Sequence, residues 1–226
     1  MWSFTTQIGG FDPDLVSWWK FDEASGTVAY DSAGDNDGQL IGGPTWTTGH
    51  IDGALDFDGV NDYVEMGDTV KNHLGMDYTV SAWIKADTLT GNHQIAAYRD
   101  SKSHNDPPPL LFQLHQAEAH VQFIVTDNYE HQVTATYTNA LTAGAWYHIA
   151  GVRSGNTLNV YVNGQSGMPG SGTLTGTISS DNLKIGALLC SGAPVTSFFD
   201  GVIDDVRIYS RALSAEEVWQ LYQSGL

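Results

Sequence analysis

The sequence has few basic residues and no long apolar run. Of its 226 residues, 9 are Lys or Arg and 26 are Asp or Glu, which gives a formal net charge of −17. A surface of that sign repels the phosphate backbone of nucleic acids and anionic lipid surfaces. No apolar run approaches the length of about 20 residues that a membrane-spanning helix needs. We therefore expect neither nucleic acid as a partner nor membrane insertion.

Cysteine is almost absent. Cys190 stands alone, so the chain can form no internal disulfide and no zinc site built from cysteines. The first residues, MWSFTTQ, also lack the basic region and apolar run of a secretory signal. The chain is then either intracellular or a module of a larger secreted or cell-surface protein. We favour the second interpretation.

Alternation of apolar and polar residues predicts an all-β fold. Patterns of period two, typical of half-buried strands, occupy several segments. They include residues 78–84, 158–162 and 202–209. Turn dipeptides separate such segments, among them Asn163-Gly164 and Asp200-Gly201, and they predict hairpins and short loops.

One helix is predicted, at the C terminus. Ser214 and Glu217 form a capping box, and Gly225 ends the apolar stripe that follows. We expect this helix to dock on the edge of a β-sandwich. Large aromatic residues at strand positions, such as Trp83 and Tyr209, are expected in the core, because they supply much of the burial of a sandwich.

The domain organisation is simple. The sequence contains no internal repeat and no linker with a shift in composition, so we expect one domain over residues 15–226, preceded by an N-terminal extension over residues 1–14. Residues 98–109 and 164–176 are rich in Pro or Gly and are predicted to be long loops. Long loops of a sandwich commonly border a binding site.

Seven short motifs are spread over nearly the whole chain. They are residues 15–26 (LVSWWKFDEASG), 31–38 (DSAGDNDG), 53–64 (GALDFDGVNDYV), 80–84 (VSAWI), 146–150 (WYHIA), 161–164 (YVNG) and 201–217 (GVIDDVRIYSRALSAEE). Together they resemble the bacterial laminin-G-like, concanavalin A-like lectin/glucanase domains. The resemblance implies a two-sheet antiparallel jelly-roll β-sandwich, a structural calcium ion, and a carbohydrate-binding role inside a secreted multi-domain protein.

Acidic residues are concentrated in the first third of the chain. Residues 12–68 contain thirteen Asp and Glu against the single Lys20. So much like charge is unfavourable unless solvent or a cation screens it, and calcium takes six to eight oxygen ligands of the kind that Asp-rich loops offer. The family resemblance places the structural calcium at Asp22, Asn36 and Asp204, with the neighbouring Asp35, Asp37 and Asp205 as alternative ligands. The alternative interpretation is that these acids are solvated turn and cap residues.

The segment over residues 93–132 departs from the family motifs and contains five of the eight histidines. Alternation puts Gln113 and His115 on one face of a predicted strand, and His120 and Gln122 on one face of the next. A four-residue turn between these strands sets His115 opposite His120, with Gln113 and Gln122 as the next polar pair. A face of amides and imidazoles suits the recognition of sugar hydroxyls.

Two functions are compatible with this face. A sugar-binding module also needs an aromatic platform. The candidates are Tyr98, Tyr129, Tyr137 and Trp46, and Arg99 is a further candidate contact. Alternatively, Gln113 and His115 resemble the Gln-Ile-His strand motif of jelly-roll alginate lyases. That resemblance implies a catalytic set of His115, Gln113, Arg99 and Tyr137, with Tyr129 as the alternative tyrosine.

Charge distinguishes the two functions. A protein that binds or cleaves polyuronates needs several cations to meet the carboxylates, and the relevant segment offers only Arg99 and Lys102. Neutral glycans fit better. We therefore favour a carbohydrate-binding module whose polysaccharide lies on the concave sheet face, with the polysaccharide lyase as the alternative. A zinc site at His115 and His120 is a third interpretation, but the spacing of these two residues matches neither of the histidine–glutamate motifs of zinc proteases.

Overall fold

Strands make up about half of the residues that the structure describes. The computed structural model describes residues 12–67, 69–98, 110–115, 120–127, 131–174, 182–188 and 197–226. Its elements in chain order are β1 (Leu15–Trp19), β2 (Val28–Ala29), β3 (Gly38–Ile41), β4 (Thr45–Thr48), β5 (Gly53–Asp58), β6 (Tyr63–Met66), a 3-10 turn (Val70–His73), β7 (Asp77–Ala86), β8 (His93–Tyr98), β9 (Leu110–His115), β10 (His120–Asp127), β11 (His131–Tyr137), β12 (Tyr147–Ser154), β13 (Thr157–Val162), β14 (Gln165–Ser166), β15 (Gly170–Ser171), β16 (Lys184–Ile185), β17 (Ala187–Leu188), β18 (Ser197–Phe198), β19 (Asp200–Tyr209) and α1 (Ala215–Ser224). The strands predicted at residues 78–84, 158–162 and 202–209 lie inside β7, β13 and β19.

The strands form two antiparallel sheets. In the first sheet the order is β14-β13-β12-β7-β19-β5-β4, with β1 paired to β19 and β15 paired to β13. In the second sheet the order is β11-β10-β9-β8-β16-β6-β3-β2. The short strands β17 and β18 pair with each other and contact β8. This arrangement confirms the predicted all-β, two-sheet antiparallel sandwich with a short C-terminal helix.

Alternate side chains of both sheets meet in one apolar core. Phe112 of β9 and Phe123 of β10 are fully buried there, with their ring centroids 5.5 Å apart in an edge-to-face arrangement. Gly151 of β12 allows this packing, because a Cβ atom at that position would lie 2.5 Å from the Phe123 ring. Since successive side chains of a strand point to opposite faces, the polar residues of β9 and β10 face outward.

The C-terminal helix begins and ends as predicted. Ser214 and Glu217 form both hydrogen bonds of the capping box. The expected position on a sandwich edge is wrong, because Val218 packs with Tyr209 on the outer face of the first sheet. Trp83 and Tyr209 are therefore buried beneath the helix and not between the sheets. The helix packs there because β12 and β13 present the apolar side chains of Ala150, Val152 and Tyr161 on that face.

One predicted turn is confirmed and one is wrong. Asn163 and Gly164 have φ of +50° and +74°, the two positive values that a type I′ turn requires. Asp200 and Gly201 lie inside β19. A Cβ atom at Gly201 would lie 2.2 Å from the carbonyl oxygen of Lys85, so this glycine allows the close approach of two strands.

Part of the loop predicted over residues 164–176 forms short strands. Residues 99–109 and 175–181 lie outside the described residues. Over residues 165–171, the chain closes one side of the sandwich. There β15 pairs with β13 of the first sheet, while Met168 exchanges backbone hydrogen bonds of 2.8 and 3.0 Å with Thr136 of the second sheet.

The chain before β1 contacts the domain. Arg211 lies 2.6 Å from a carboxylate oxygen of Asp12 and 3.3 Å from one of Asp14. The last residues of the predicted N-terminal extension therefore pack against the domain, whereas residues 1–11 lie outside the described residues. Within the described chain, no helix has the length and apolar character needed to cross a membrane.

Candidate functional site

The outward face of the second sheet carries the polar residues predicted from the sequence. His115 of β9 pairs with His120 of β10, and Gln113 pairs with Gln122 at the next position on that face. The predicted cross-strand pairing is confirmed. Register is fixed here because a slip of one residue would turn Phe112 and the other apolar side chains out of the core.

A third glutamine extends the Gln113–Gln122 pair into a row across three strands. Gln94 of β8 pairs with Gln113, and its Nε2 donates a hydrogen bond of 3.0 Å to Gln113 Oε1. The Nε2 atom of Gln113 donates in turn to Gln122 Oε1, also at 3.0 Å. We call Gln94, Gln113 and Gln122 the amide row. Sequence reasoning missed Gln94, because the register shifts between Gln94 and Ala96 and this irregularity breaks the alternation along β8.

The amide row is accessible at one end only. Gln94 and Gln113 are 1% and 5% exposed, whereas Gln122 is half-buried, as are His115 and His120. Gln113, predicted as a ligand contact, is therefore buried and joins neighbouring strands. We call His115, His120 and Gln122 the polar strip, which is the part of the predicted site that solvent reaches.

Hydroxyl groups continue the polar strip onto β11. Thr136 pairs with Gln122 across β10 and β11 and is half-buried. Thr134, two residues earlier on the same face, accepts a hydrogen bond of 3.3 Å from Gln132 Nε2. The face thus offers amide, imidazole and hydroxyl groups, all of which can bond to a sugar hydroxyl.

An apolar patch borders the amide row on its other side. Ala97, Leu111 and Ile124 are buried together on the outward face, and Leu188 of β17 packs against them. The strands β17 and β18 contact β8, the strand that carries Gln94. The buried end of the amide row lies on β8 and its accessible end on β10.

The described aromatic residues that were expected on this face lie in the core or pack against it. Tyr98 is fully buried in the core, next to Leu110, its partner on β9. Tyr137 packs against the core from β11, and Trp46 packs against it from the first sheet. The assignments of Tyr98 to ligand binding and of Tyr137 to a lyase site are therefore corrected. Arg99 and Tyr129 lie outside the described residues.

Charge on the described part of this face is balanced. Lys184 pairs with Ala97 in the strand register and so shares the outward face. Its Nζ atom lies 3.4 Å from Glu65 Oε1. Among the described residues of the second sheet's outward face, no further Lys or Arg side chain is present. A polyanionic chain would meet no cation here that lacks a carboxylate partner.

A second polar cluster lies on the outer face of the first sheet. Asp204 Oδ2 accepts backbone hydrogen bonds of 2.9 Å from His50 and 2.8 Å from Ile51. Its Oδ1 atom is buried and has no hydrogen-bond partner within the described chain. Burial raises the pKa of Asp204 to about 7, and the negative charges of Asp205 and Asp22 contribute.

Two of the three predicted calcium ligands lie together. Asp22 and Asp204 line one cavity of about 240 Å³, which Asp52 and Asp205 also line. Asp22 Oδ1 accepts a hydrogen bond of 2.8 Å from the backbone N–H of Gly53. Lys20 and Arg207 line the same cavity, and Arg207 lies 3.0 Å from Asp205 Oδ2, so four carboxylates face two cations there.

Asn36 lies elsewhere. It lines a different cavity with Asp35 and Thr69. Its Nδ2 donates to Ser17 Oγ at 2.8 Å, and its Oδ1 accepts from the Thr69 hydroxyl. Within the described residues, no group of three or more His, Cys, Asp or Glu side chains has the arrangement of a metal site.

Comparison with known families identifies the fold. The family model described as the concanavalin A-like lectin/glucanases superfamily matches residues 58–219, more than half of the chain. The chain belongs to this superfamily. The matched residues include strands of both sheets and the first turns of α1, so the match agrees with the sandwich described above.

Solved structures share the same fold at low sequence identity. Domain 4 of AbnA, a GH43 extracellular arabinanase from Geobacillus stearothermophilus in complex with arabinotriose, has a TM-score of 0.72 and 20% identity, and the match covers 93% of this chain and 98% of that one. The binding domain of botulinum neurotoxin serotype D has a TM-score of 0.70 and 13% identity, over 93% and 52% of the chains. Trypanosoma rangeli sialidase has a TM-score of 0.69 and 17% identity, over 94% and 33%.

Two of the three residues predicted to bind calcium have an arrangement that suits the ion. The buried Asp204 Oδ1 without a partner, close to Asp22, is the arrangement that a hard cation would relieve. The amide of Asn36 is already used by protein side chains. The residues present therefore fit calcium at Asp22 and Asp204 and not at Asn36.

Proposed function

We propose that this lectin/glucanase-superfamily domain binds a neutral polysaccharide at the polar strip. The observation that carries the proposal is the register of β9 and β10, which presents His115, His120 and Gln122 side by side on an outward sheet face. Imidazole and amide groups both donate and accept hydrogen bonds, as sugar hydroxyls do. Because the strands hold these side chains in place, little conformational entropy is lost when a sugar binds.

A neutral ligand follows from the charges. The chain carries a net charge of −17, which repels uronates and sulfated sugars at long range. At short range, the pairing of Lys184 with Glu65 leaves no cation on the described face to meet a carboxylate. The arabinotriose bound to the structurally similar arabinanase domain makes arabinan the first polysaccharide to test.

We also propose that Asp22 and Asp204 hold a structural calcium ion. Calcium would supply the positive charge that the buried Asp204 carboxylate lacks. These two side chains would contribute oxygen ligands, and the loop after β1 that carries Asp22 would then be joined to the centre of β19 through the cation. The role is structural, since the cavity lies on the first sheet and the polar strip on the second.

The domain is further proposed to act within a secreted or cell-surface, multi-domain bacterial protein. The chain spans about half of the toxin binding domain and a third of the sialidase that it resembles. Its length matches a single domain of the extracellular arabinanase. These similarities support a module that targets a larger protein to a glycan.

Affinity gel electrophoresis tests the glycan proposal. Gels containing arabinan, xylan or mixed-linkage glucan are compared with gels containing pectate or alginate. We expect retardation by at least one neutral polysaccharide, unchanged migration in the uronate gels, and loss of retardation for Gln122→Ala. The matched control is Gln39→Ala, an exposed glutamine on β3 of the same sheet. Absence of retardation in every neutral gel would contradict the proposal.

A further inference from the structure

The hydrogen bonds of the amide row all run in one direction. Gln94 donates to Gln113, and Gln113 donates to Gln122, each over 3.0 Å. A carboxamide has one acceptor oxygen and one donor NH₂ group. Gln113 uses its oxygen toward β8 and its nitrogen toward β10, so the orientation of each amide fixes that of the next.

The buried end of the row determines this direction. Gln94 is 1% exposed, and its Oε1 atom has no hydrogen-bond partner within the described chain. If every amide were reversed, the group left without a partner at Gln94 would be an NH₂ with two donors. Buried N–H groups without partners are rarer in proteins than carbonyl oxygens with incomplete hydrogen bonding. The observed direction therefore has the smaller penalty.

The accessible end behaves differently. Gln122 is half-buried, so either its NH₂ or its oxygen could be hydrated there. This end therefore has no strong preference of its own, and the direction is imposed from Gln94, two strands away. With Gln122 Oε1 occupied by Gln113, the Nε2 of Gln122 is the group left for other partners.

We propose that Gln94 is a positioning residue that makes Gln122 a hydrogen-bond donor at the surface. This inference rests on the proposed glycan function for its ligand. The ligand group at Gln122 is then an acceptor oxygen of a neutral glycan, such as a hydroxyl oxygen or an acetyl carbonyl. Gln94 itself touches no ligand, because it is only 1% exposed.

The direction can be measured on the ligand-free wild-type protein. In a perdeuterated, ¹⁵N,¹³C-labelled sample, scalar coupling across the hydrogen bond should connect Gln113 Nε2 with Gln122 Cδ. Coupling between Gln122 Nε2 and Gln113 Cδ would overturn the proposal. The side-chain NH₂ of Gln113 should also exchange with solvent at least ten-fold more slowly than that of the exposed Gln39, and equal rates would contradict the row.

The substitution Gln94→Met tests the effect on binding. Methionine fills a similar volume but cannot donate to Gln113, so the Gln113–Gln122 pair loses its preferred direction. We expect the coupling from Gln113 Nε2 to weaken and the affinity for the neutral polysaccharide to fall about two- to five-fold in the folded variant. A residue that is merely structural would lower the melting temperature and leave affinity and coupling unchanged, and that result would overturn the proposal.

The two proposals can fail separately. If no glycan binds while the wild-type coupling is as expected, the glycan function is contradicted, and with it the assignment of the ligand group, but the polarity set by Gln94 stands. If glycans bind and the coupling has the opposite direction, the role of Gln94 is overturned and the glycan function stands. Should Gln94→Met fail to fold, the wild-type coupling decides the direction alone.

Discussion

His115 lies directly opposite His120 across the antiparallel pair of β9 and β10, and both imidazoles are half-buried on the outward face. We predict that His115→Ala weakens binding of the neutral polysaccharide by about 1–3 kcal/mol, the usual result of leaving a polar group of the complex without its partner. The melting temperature should change little, because the side chain is only half-buried. Isothermal titration and thermal melts on the same sample measure both quantities.

The control for this prediction is His73→Ala, which removes an exposed histidine from the 3-10 turn. That variant should bind as the wild type does. An affinity of His115→Ala equal to that of the wild type would show that the glycan lies elsewhere on the domain.

Chelation should destabilise the domain if Asp22 and Asp204 hold calcium. A cation at 100-fold its Kd stabilises the folded state by about 2.7 kcal/mol, so EDTA should lower the melting temperature by about 5–10 °C in a domain of this size. Asp204→Asn should abolish most of that difference, whereas Asp87→Asn, at an exposed position outside the Asp204 cavity, should retain it. Identical melts with and without EDTA would remove the calcium proposal.

The calcium effect should also depend on pH. The pKa of Asp204 is raised to about 7, so the folded, calcium-free protein binds a proton there that the unfolded chain releases. Its stability therefore falls as the pH rises through this range. Calcium competes with that proton, so the rise in melting temperature on adding calcium should be larger at about pH 8 than at about pH 5. A calcium effect independent of pH would argue against Asp204 as a ligand.

Asp31 should stabilise the fold with a pH dependence opposite to that of Asp204. Burial raises its pKa, but backbone hydrogen bonds from Trp18 (2.8 Å) and Ala33 (3.0 Å) outweigh burial and hold the pKa below its usual value. The resulting stabilisation is present above the usual pKa and is lost as the pH falls through the folded pKa. We predict that Asp31→Asn costs about 1–3 kcal/mol at pH 7. In urea unfolding, the difference in unfolding free energy between the wild type and Asp31→Asn should narrow at about pH 2. A difference independent of pH would contradict the lowered pKa of Asp31.

The sequence was sufficient to predict those features that local patterns determine. His115 and His120 were placed opposite each other because polar and apolar residues alternate next to them in both strands and only four residues separate them. The helix over Ala215–Ser224 was predicted because Ser214 and Glu217 are close in sequence and supply its cap. In both cases the deciding interactions lie within about ten residues of each other.

Other features depend on contacts that no local pattern contains. Gln94 was missed and Tyr98 was expected on the wrong face, because the irregularity between Gln94 and Ala96 changes which residues of β8 face outward. Asn36 was assigned to calcium, but its side chain is held by Ser17 and Thr69, which are distant in sequence. Alternation alone does not show such irregularities or partners.

The helix that packs on the outer face of the first sheet should depend on its N-terminal capping box. Ser214 Oγ accepts a hydrogen bond from the backbone N–H of Glu217, and Glu217 Oε2 accepts one of 2.8 Å from the backbone N–H of Ser214. Loss of a cap of this kind destabilises a protein by about 0.5–2 kcal/mol. We predict that Ser214→Ala lowers the free energy of unfolding in urea by that amount.

Because α1 packs on the first sheet and the polar strip lies on the second, the affinity of the folded Ser214→Ala variant for the polysaccharide should equal that of the wild type. Ser224→Ala, at the exposed last turn of the same helix, is the control and should change stability less. If Ser214→Ala weakened glycan binding while leaving stability unchanged, the binding site would have to include α1, and the assignment of the glycan to the second sheet would be wrong.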